Sequence, residues 1–150
     1  MEVLLKDIDE GNWEKCIFLT TDPDKNHYLV EKLVASNAVS IAQSKIEKGW
    51  ITKAIYSEDT MVGFTMYGYS EGDNCFELCR IMIDHKFQRQ GFGRKALSLI
   101  IKEMSKNKDC SEIYLSFDPE NHSAKKLYEE FGFENTGKIL DDEILYCLKI

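Results

Sequence analysis

The residues with the clearest chemical potential are Ile81-Met-Ile-Asp-His-Lys-Phe-Gln-Arg-Gln-Gly-Phe-Gly-Arg-Lys-Ala-Leu97. They read as the end of a strand, a short connection, two glycines two apart and the opening of a helix. After the glycines, apolar residues fall at Phe92, Ala96, Leu97, Ile100, Ile101 and Met104, one face of a 3.6-residue period. A helix N-terminus carries unpaired N–H groups and a partial positive charge, and glycines let a bulky anion approach that backbone. The stretch is suited to a phosphate or pyrophosphate. The rest of the chain can be read as strands that build a cleft in front of it.

Two patterns compete for these residues. Gly91-Phe92-Gly93-Arg94-Lys95-Ala96 fits the dinucleotide fingerprint G-x-G-x-x-[GA], a weak signal when taken alone. That site wants a compact βαβ unit with an acidic residue about 20 positions beyond the glycines. The next strand, Glu112–Phe117, ends late in Asp118, and only a short helix and two strands follow. A doubly wound sheet cannot be completed from that. Gln88-Arg-Gln-Gly91-Phe-Gly93 also fits [RQ]-x-x-G-x-[GA], and there it resembles the acetyl-CoA pyrophosphate loop of the GNAT N-acetyltransferases.

The elements that must position this loop follow from patterning. Residues 2–8 predict a first strand, and Asn12 can cap a short helix that buries Trp13, Cys16 and Ile17. After a polar break with Pro23, a helical pattern runs from about His27 to Lys48, divided near Ser36-Asn37. Gly49 ends it. A hairpin, Ile51–Ser57 and Met61–Tyr69, leads through a turn at Ser70–Asn74 to a strand at Cys75–Ile83. Strict alternation in that strand puts Phe76, Leu78 and Met82 on one face, and Glu77, Cys79, Ile81 and Ile83 on the other. Arg80 then falls on the apolar side, where alternation offers it no place. Glu112–Phe117 alternates as well, and Asn121 is well placed to cap a helix carrying Ala124, Leu127, Tyr128 and Phe131, closed by Gly132. Strands at Phe133–Leu140 and Glu143–Leu148 form a final hairpin. The order β-α-α-β-β-β-α-β-α-β-β describes one mixed α/β domain over residues 1–150 with central antiparallel strands.

Bulk properties narrow the function classes. A chain of 150 residues can bury most of its apolar surface without disulfides or metal. The five cysteines are odd in number, with no C-x-x-C pair, so reduced thiols in a cytoplasmic protein and no metal site are expected. The N-terminus is charged too soon for a signal peptide, and no apolar run approaches membrane length. The formal charge of −7, from 26 acidic and 19 basic side chains, argues against nucleic acid and suits a cationic substrate.

The element order, the Gln88–Gly93 loop and a downstream Asn121-x-x-Ala124-x-x-Leu127-Tyr128-x-x-x-Gly132-Phe133 together resemble a GNAT acetyltransferase over the whole chain. Met61-Val-Gly-Phe-Thr-Met-Tyr-Gly68, Arg80-Ile-Met-Ile-Asp84 and Lys126-Leu-Tyr-Glu-Glu-Phe-Gly-Phe133 look most like bacterial spermine/spermidine (diamine) acetyltransferases. The resemblance implies a GNAT fold, with a mostly antiparallel sheet splayed at an acetyl-CoA cleft and flanked by helices. It implies that backbone groups at Met82 and Ile83 pair with the pantetheine arm. Amides of Gln88, Arg89, Gln90, Gly91, Phe92, Gly93 and Arg94 would hold the pyrophosphate, with Lys126 at the same cofactor site. Asn121 would bond the pantetheine through its side-chain amide, although its plain reading is a helix cap. A strand N–H near Ile81 or Met82 would stabilise the oxyanion.

Acetyl transfer to an amine expels a CoA thiolate, and a thiol of pKa ~8.5 leaves better with a proton donor. Tyr128 occupies the family's general-acid position; otherwise it is a core aromatic. The alkylamine, pKa ~10.4, must lose a proton. Glu77 is the only acidic residue inside the cofactor strand and matches the glutamate base of some GNAT enzymes; otherwise it is a surface carboxylate. Glu31, Tyr67 and Tyr69 are candidates for the walls of a groove for the cationic amine, by carboxylate pairing and cation–π contact. A protein or peptide acceptor, or a non-catalytic acetyl-CoA-binding module, are the alternatives. A homodimer through the C-terminal hairpin is compatible with these residues, and none of them requires it.

Overall fold

The computed structural model describes residues 1–24 and 36–150. The expected helix over His27–Ala35, with Glu31 on it, lies outside the described residues. The elements are β1 (Val3–Asp7), α1 (Trp13–Ile17), α2 (Asn37–Ile46), β2 (Trp50–Ser57), β3 (Thr60–Ser70), β4 (Cys75–Ile83), a 3-10 turn (His85–Phe87), α3 (Phe92–Ser105), β5 (Glu112–Phe117), α4 (His122–Glu130), β6 (Glu134–Leu140) and β7 (Glu143–Lys149). Seven strands form one sheet in the order β1-β2-β3-β4-β5-β7-β6. Every neighbouring pair is antiparallel except β4 and β5, which are parallel.

Helices cover both faces. On one side α3 sets Phe92, Ala96, Leu97, Ile100 and Met104 into the core, the face its periodicity predicts, with Ile101 only half-buried. With α4 it covers Leu78, Ile113, Leu115, Phe117, Phe133 and Tyr146. On the other side Cys16 and Ile41 pack against Ala54, Phe64, Met66 and Met82. This second layer differs from its expected form. Within α1 only Cys16 is buried, and Trp13 is 45% exposed. Asn12 does not cap α1 through its side chain, because its amide bonds Asp9 N and Asp7 O and closes the preceding turn instead. In α2, Val39 and Ile46 face outward, while Asn37 and Ser40 are buried. Asn37 is held there because its Nδ2 donates to Cys16 O at 2.9 Å, which joins the two helices.

Register decides which residues of β4 share a face. Tyr67 pairs with Leu78 and Met66 with Arg80, so Cys79 is an extra residue, a β-bulge. Residues directly opposite point to the same side, so Phe76, Leu78, Ile81 and Ile83 all face α3. Glu77, Arg80 and Met82 face the α1–α2 side. The strict alternation expected from sequence therefore fails at one position. Glu77 does not share a face with Ile81 and Ile83, and Arg80 shares its face with Met82 but not with Phe76 and Leu78.

The backbones of β3 and β4 come very close at Gly63, where an added Cβ would lie 2.2 Å from Met82 O. Gly63→Ala is expected to destabilise the fold by about 1–3 kcal/mol, as overpacking does. Gly72→Ala, which would meet nothing within 4 Å, serves as the control. Thermal unfolding reads the difference, at roughly 2–4 °C of Tm per kcal/mol for a chain of this length.

Candidate functional site

The loop after β4 is built to leave amides unpaired. Gln88 Nε2 donates to Ile83 O at 3.0 Å and Gln90 Nε2 to Lys86 O at 3.2 Å, which folds the connection back on itself. Arg89 and Gly91 take positive φ, +61° and +84°. Gly91 is the N-cap of α3, and the first helical bond runs from Lys95 N to its carbonyl. The N–H groups of Phe92, Gly93 and Arg94 therefore have no partner within the helix. The other long helices are capped by their own side chains, α2 by Ser36 and α4 by Asn121. At α3 the N-cap has no side chain to do this. An added Cβ on Gly91 would meet nothing within 4 Å, so its backbone needs glycine for φ and leaves that side open to an anion. These residues fit a pyrophosphate. Arg94 contributes its amide alone, because its guanidinium pairs with Glu130 on α4 and lies over the Phe131 ring.

From this loop a gap runs into the sheet. Strands β4 and β5 share a single register pair, Glu77 with Tyr114. Beyond it β4 stays with β3 as far as Ile83–Gly63, while β5 stays with β7 as far as Phe117–Ile144. The sheet splays, and the β4 edge from the Cys79 bulge to Ile83 lines the opening. Ile81 and Ile83 turn their side chains to α3 and Met82 turns its own to the other face, so what they offer the gap is backbone. The Ile83 carbonyl is already taken by Gln88.

Across the gap stands α4. Asn121 Oδ1 accepts Ala124 N at 3.1 Å as a true N-cap, and its NH2 group donates to no described residue. Capping thus leaves the amide nitrogen of this side chain open to a ligand. Tyr128 is buried on the α3–α4 face, with its ring 5.2 Å from Phe117 and 5.8 Å from Phe133. Burial, helped by the Glu143 carboxylate, pushes its phenol up to about 12. It is therefore held protonated at neutral pH. Lys126 sits on the exposed surface of α4.

On the opposite face of the sheet a cavity of about 570 Å³ opens beside the splay. Glu77 lines it together with Asp73, Asp109, Glu112, Tyr69, Tyr114 and the cation Lys138. Burial, and then the neighbouring Asp73 carboxylate, raise the Glu77 pKa, with Arg80 working the other way. Tyr114 Oη donates to Glu112 Oε2 at 2.6 Å, which lowers the Glu112 carboxyl and raises the Tyr114 phenol. Tyr69 bonds Asn74 and meets Phe76 edge-on, with the ring centroids 5.1 Å apart. Tyr67 is not at this cavity. It pairs with Leu78 on the α3 face and is 3% exposed in the core. Asp73, Glu112 and Tyr114 were not anticipated as site residues. A signal was present: Glu112, Tyr114 and Ser116 are the polar half of an alternating strand whose other half is core.

Comparison with known proteins agrees with this fold. Residues 11–133 match the model of the family described as "Acetyltransferase (GNAT) family". The chain is 28% identical over 145 residues to a spermine/spermidine N(1)-acetyltransferase of Bacillus subtilis, covering 93% of this chain and 92% of that one. Among solved structures it is similar to the PaiA N-acetyltransferase of Thermoplasma acidophilum in complex with coenzyme A, with TM-score 0.77, 16% identity and full coverage of both chains. A ribosomal-protein-alanine N-acetyltransferase of Escherichia coli has TM-score 0.69 and 19% identity, over 99% of this chain and 94% of that one. Among the described residues no helix is long and apolar enough to cross a membrane.

The raised carboxyl of Glu77 has a consequence for stability. Folding favours its protonated form, so its contribution is full below the ordinary carboxylate range and is lost as pH rises through the raised value. Gln cannot ionise. The stability of Glu77→Gln relative to the parent chain is therefore expected to grow from about pH 3.5 to pH 7, near and above the reference carboxylate pKa, as read by denaturant titrations at both values.

Proposed function

The chain belongs to the GNAT acetyltransferase family, whose acetyl donor is acetyl-CoA, and we propose that its acceptor is a polyamine such as spermidine or spermine. The observation that carries this reading is the cavity beside the splay, where among the described residues Asp73, Glu77, Asp109 and Glu112 outnumber the single cation Lys138. Opposite charges in a concave, partly desolvated site attract a polycation and hold its distal ammonium groups. Tyr69 and Tyr114 add aromatic surface suited to alkylammonium. The similarity to a spermine/spermidine N(1)-acetyltransferase supports the same acceptor class.

In this reading the amine arrives from the cavity and the thioester from the loop side, through the gap between β4 and β5. Glu77, with its affinity for protons raised, takes a proton from the ammonium. The freed amine attacks the thioester carbonyl, and β4 backbone N–H near Ile81 or Met82 stabilises the oxyanion. When the tetrahedral adduct collapses, the C–S bond breaks, Tyr128 protonates the leaving thiolate from the α4 side, and the remaining extra proton on nitrogen is lost to solvent, from which the Tyr128 phenolate is reprotonated. The phenol, held up to about 12, is not ionised in the resting enzyme, so its proton is available as the C–S bond breaks; transfer to a thiolate whose thiol has pKa ~8.5 is uphill taken alone and is coupled to collapse of the adduct. The two groups sit on opposite faces of the sheet, so the proton taken and the proton given need not compete for one side chain.

Thiol release from acetyl-CoA, with spermine, spermidine, putrescine, lysine and a short peptide as parallel acceptors, tests the acceptor class. Turnover with the polyamines is expected, and turnover with the peptide alone would move the reading to protein acetylation. Tyr128→Phe is expected to lower kcat about a hundredfold while changing coenzyme A affinity little, since it removes a proton donor and almost no volume. Glu77→Gln should lower kcat/KM and flatten its acidic limb, which in the parent enzyme should lie above the reference carboxylate value of about 4.3. An unchanged pH profile would remove Glu77 from the base role.

A further inference from the structure

We propose that Asp84 is a positioning residue that transmits occupancy of the pyrophosphate loop to the α1–α2 layer on the other face of the sheet. Asp84 directly follows β4 and is 5% exposed. Its own N–H donates to Val62 O at 2.9 Å, which prolongs the β-ladder and fixes where it stands. Its two carboxylate oxygens then serve two different parts of the chain. Oδ1 accepts Lys86 N at 3.1 Å and caps the turn that leads into Gln88–Gly91. Oδ2 accepts Thr20 N at 3.1 Å, from a residue 64 positions earlier in the chain.

His85 completes the connection. Its N–H donates to Thr20 O at 2.8 Å, and its ring Nδ1 lies 3.2 Å from the same carbonyl and 3.4 Å from Asp84 Oδ1. Both backbone groups of Thr20 are therefore held by the pair that begins the loop. Thr20 follows α1 closely, and α1 is joined to α2 by Cys16 O and Asn37. Asn37 also reaches Met82 of β4, with Nδ2 3.9 Å from Sδ. A single buried carboxylate thus ties the start of the anion loop to the first two helices through charge-assisted bonds to backbone N–H. An anion that immobilises the loop restrains Thr20 through the same two oxygens. An amide side chain has one acceptor oxygen and cannot hold both N–H groups. The inference rests on the loop as the coenzyme A site and is independent of which amine is the acceptor.

Hydrogen exchange with and without coenzyme A tests it. In the parent chain coenzyme A is expected to slow exchange about tenfold in the peptide covering residues 13–22, within the usual range for coupled sites. In Asp84→Asn that coenzyme-dependent slowing should fall below about twofold, well under the usual coupling range, while coenzyme A affinity stays within about threefold. Such a split is not what a general loss of stability produces. If Asp84→Asn does not fold, Asp84→Ser, which can still cap the turn but is too short to reach Thr20, is read in the same way. Coenzyme-dependent slowing retained at the parent level in the folded variant would overturn the inference. So would a parent chain that binds coenzyme A and shows no slowing at residues 13–22. A parent chain that fails to bind coenzyme A would instead overturn the reading of the loop itself.

Discussion

The structure depends on the separation of β4 from β5. Among the described residues these are the only parallel neighbours in the sheet, and they touch at one register pair before diverging. Parallel strands cannot be joined by a tight turn, so the chain between them makes a crossover, and here that crossover is the anion loop and α3. The same connection that forces the strands to be parallel also delivers a row of unpaired amides to the mouth of the gap. A backbone edge left without a strand partner is costly when buried. In this fold the edge is instead placed where an extended ligand arm could pair with it.

Around that gap the polar groups are divided by face. The α3–α4 side holds Tyr128 among Phe117, Phe133 and apolar helix residues, an environment that keeps a phenol neutral. The α1–α2 side carries Glu77, and the uncovered part of that face over β5 and β7 carries Glu112 and Tyr114. The bulge at Cys79 makes this division workable within one strand. It lets β4 send Leu78 and Ile81 into the α3 core and still place Glu77, Arg80 and Met82 on the other face. Without the extra residue, either the apolar or the polar set would point the wrong way.

Several of these features were legible in the chain before any coordinates. The α3 helix announced itself through its period and its glycines, and the end of each central strand fell where turn residues stand. Tyr128 and Asn121 were singled out through the resemblance of the α4 motif to the family, and the structure shows Asn121 capping α4 and Tyr128 buried on it. What was misread in the central strands followed from one assumption, that alternation runs uninterrupted. That assumption put Glu77 beside Ile81, left Arg80 without a place, and could not reveal that Tyr67 lies beneath α3. A bulge is a property of two paired strands, and neither strand carries it alone. Likewise Asn37 looks like a helix breaker in the sequence, and only the carbonyl of Cys16 explains why a buried amide is tolerated there.

By itself the sequence determined the order of elements, the glycine loop that opens α3 and the residue types available for proton transfer, because periodicity, capping and glycine conformation are local properties. Tertiary structure decided which side chains meet. It set the face of Glu77, gathered Asp73, Glu77 and Glu112 from a turn and two strands into one cavity, and joined Asp84 to Thr20 across 64 positions. Those contacts arise from register and from strand pairing between distant segments, and no local pattern in the chain encodes them.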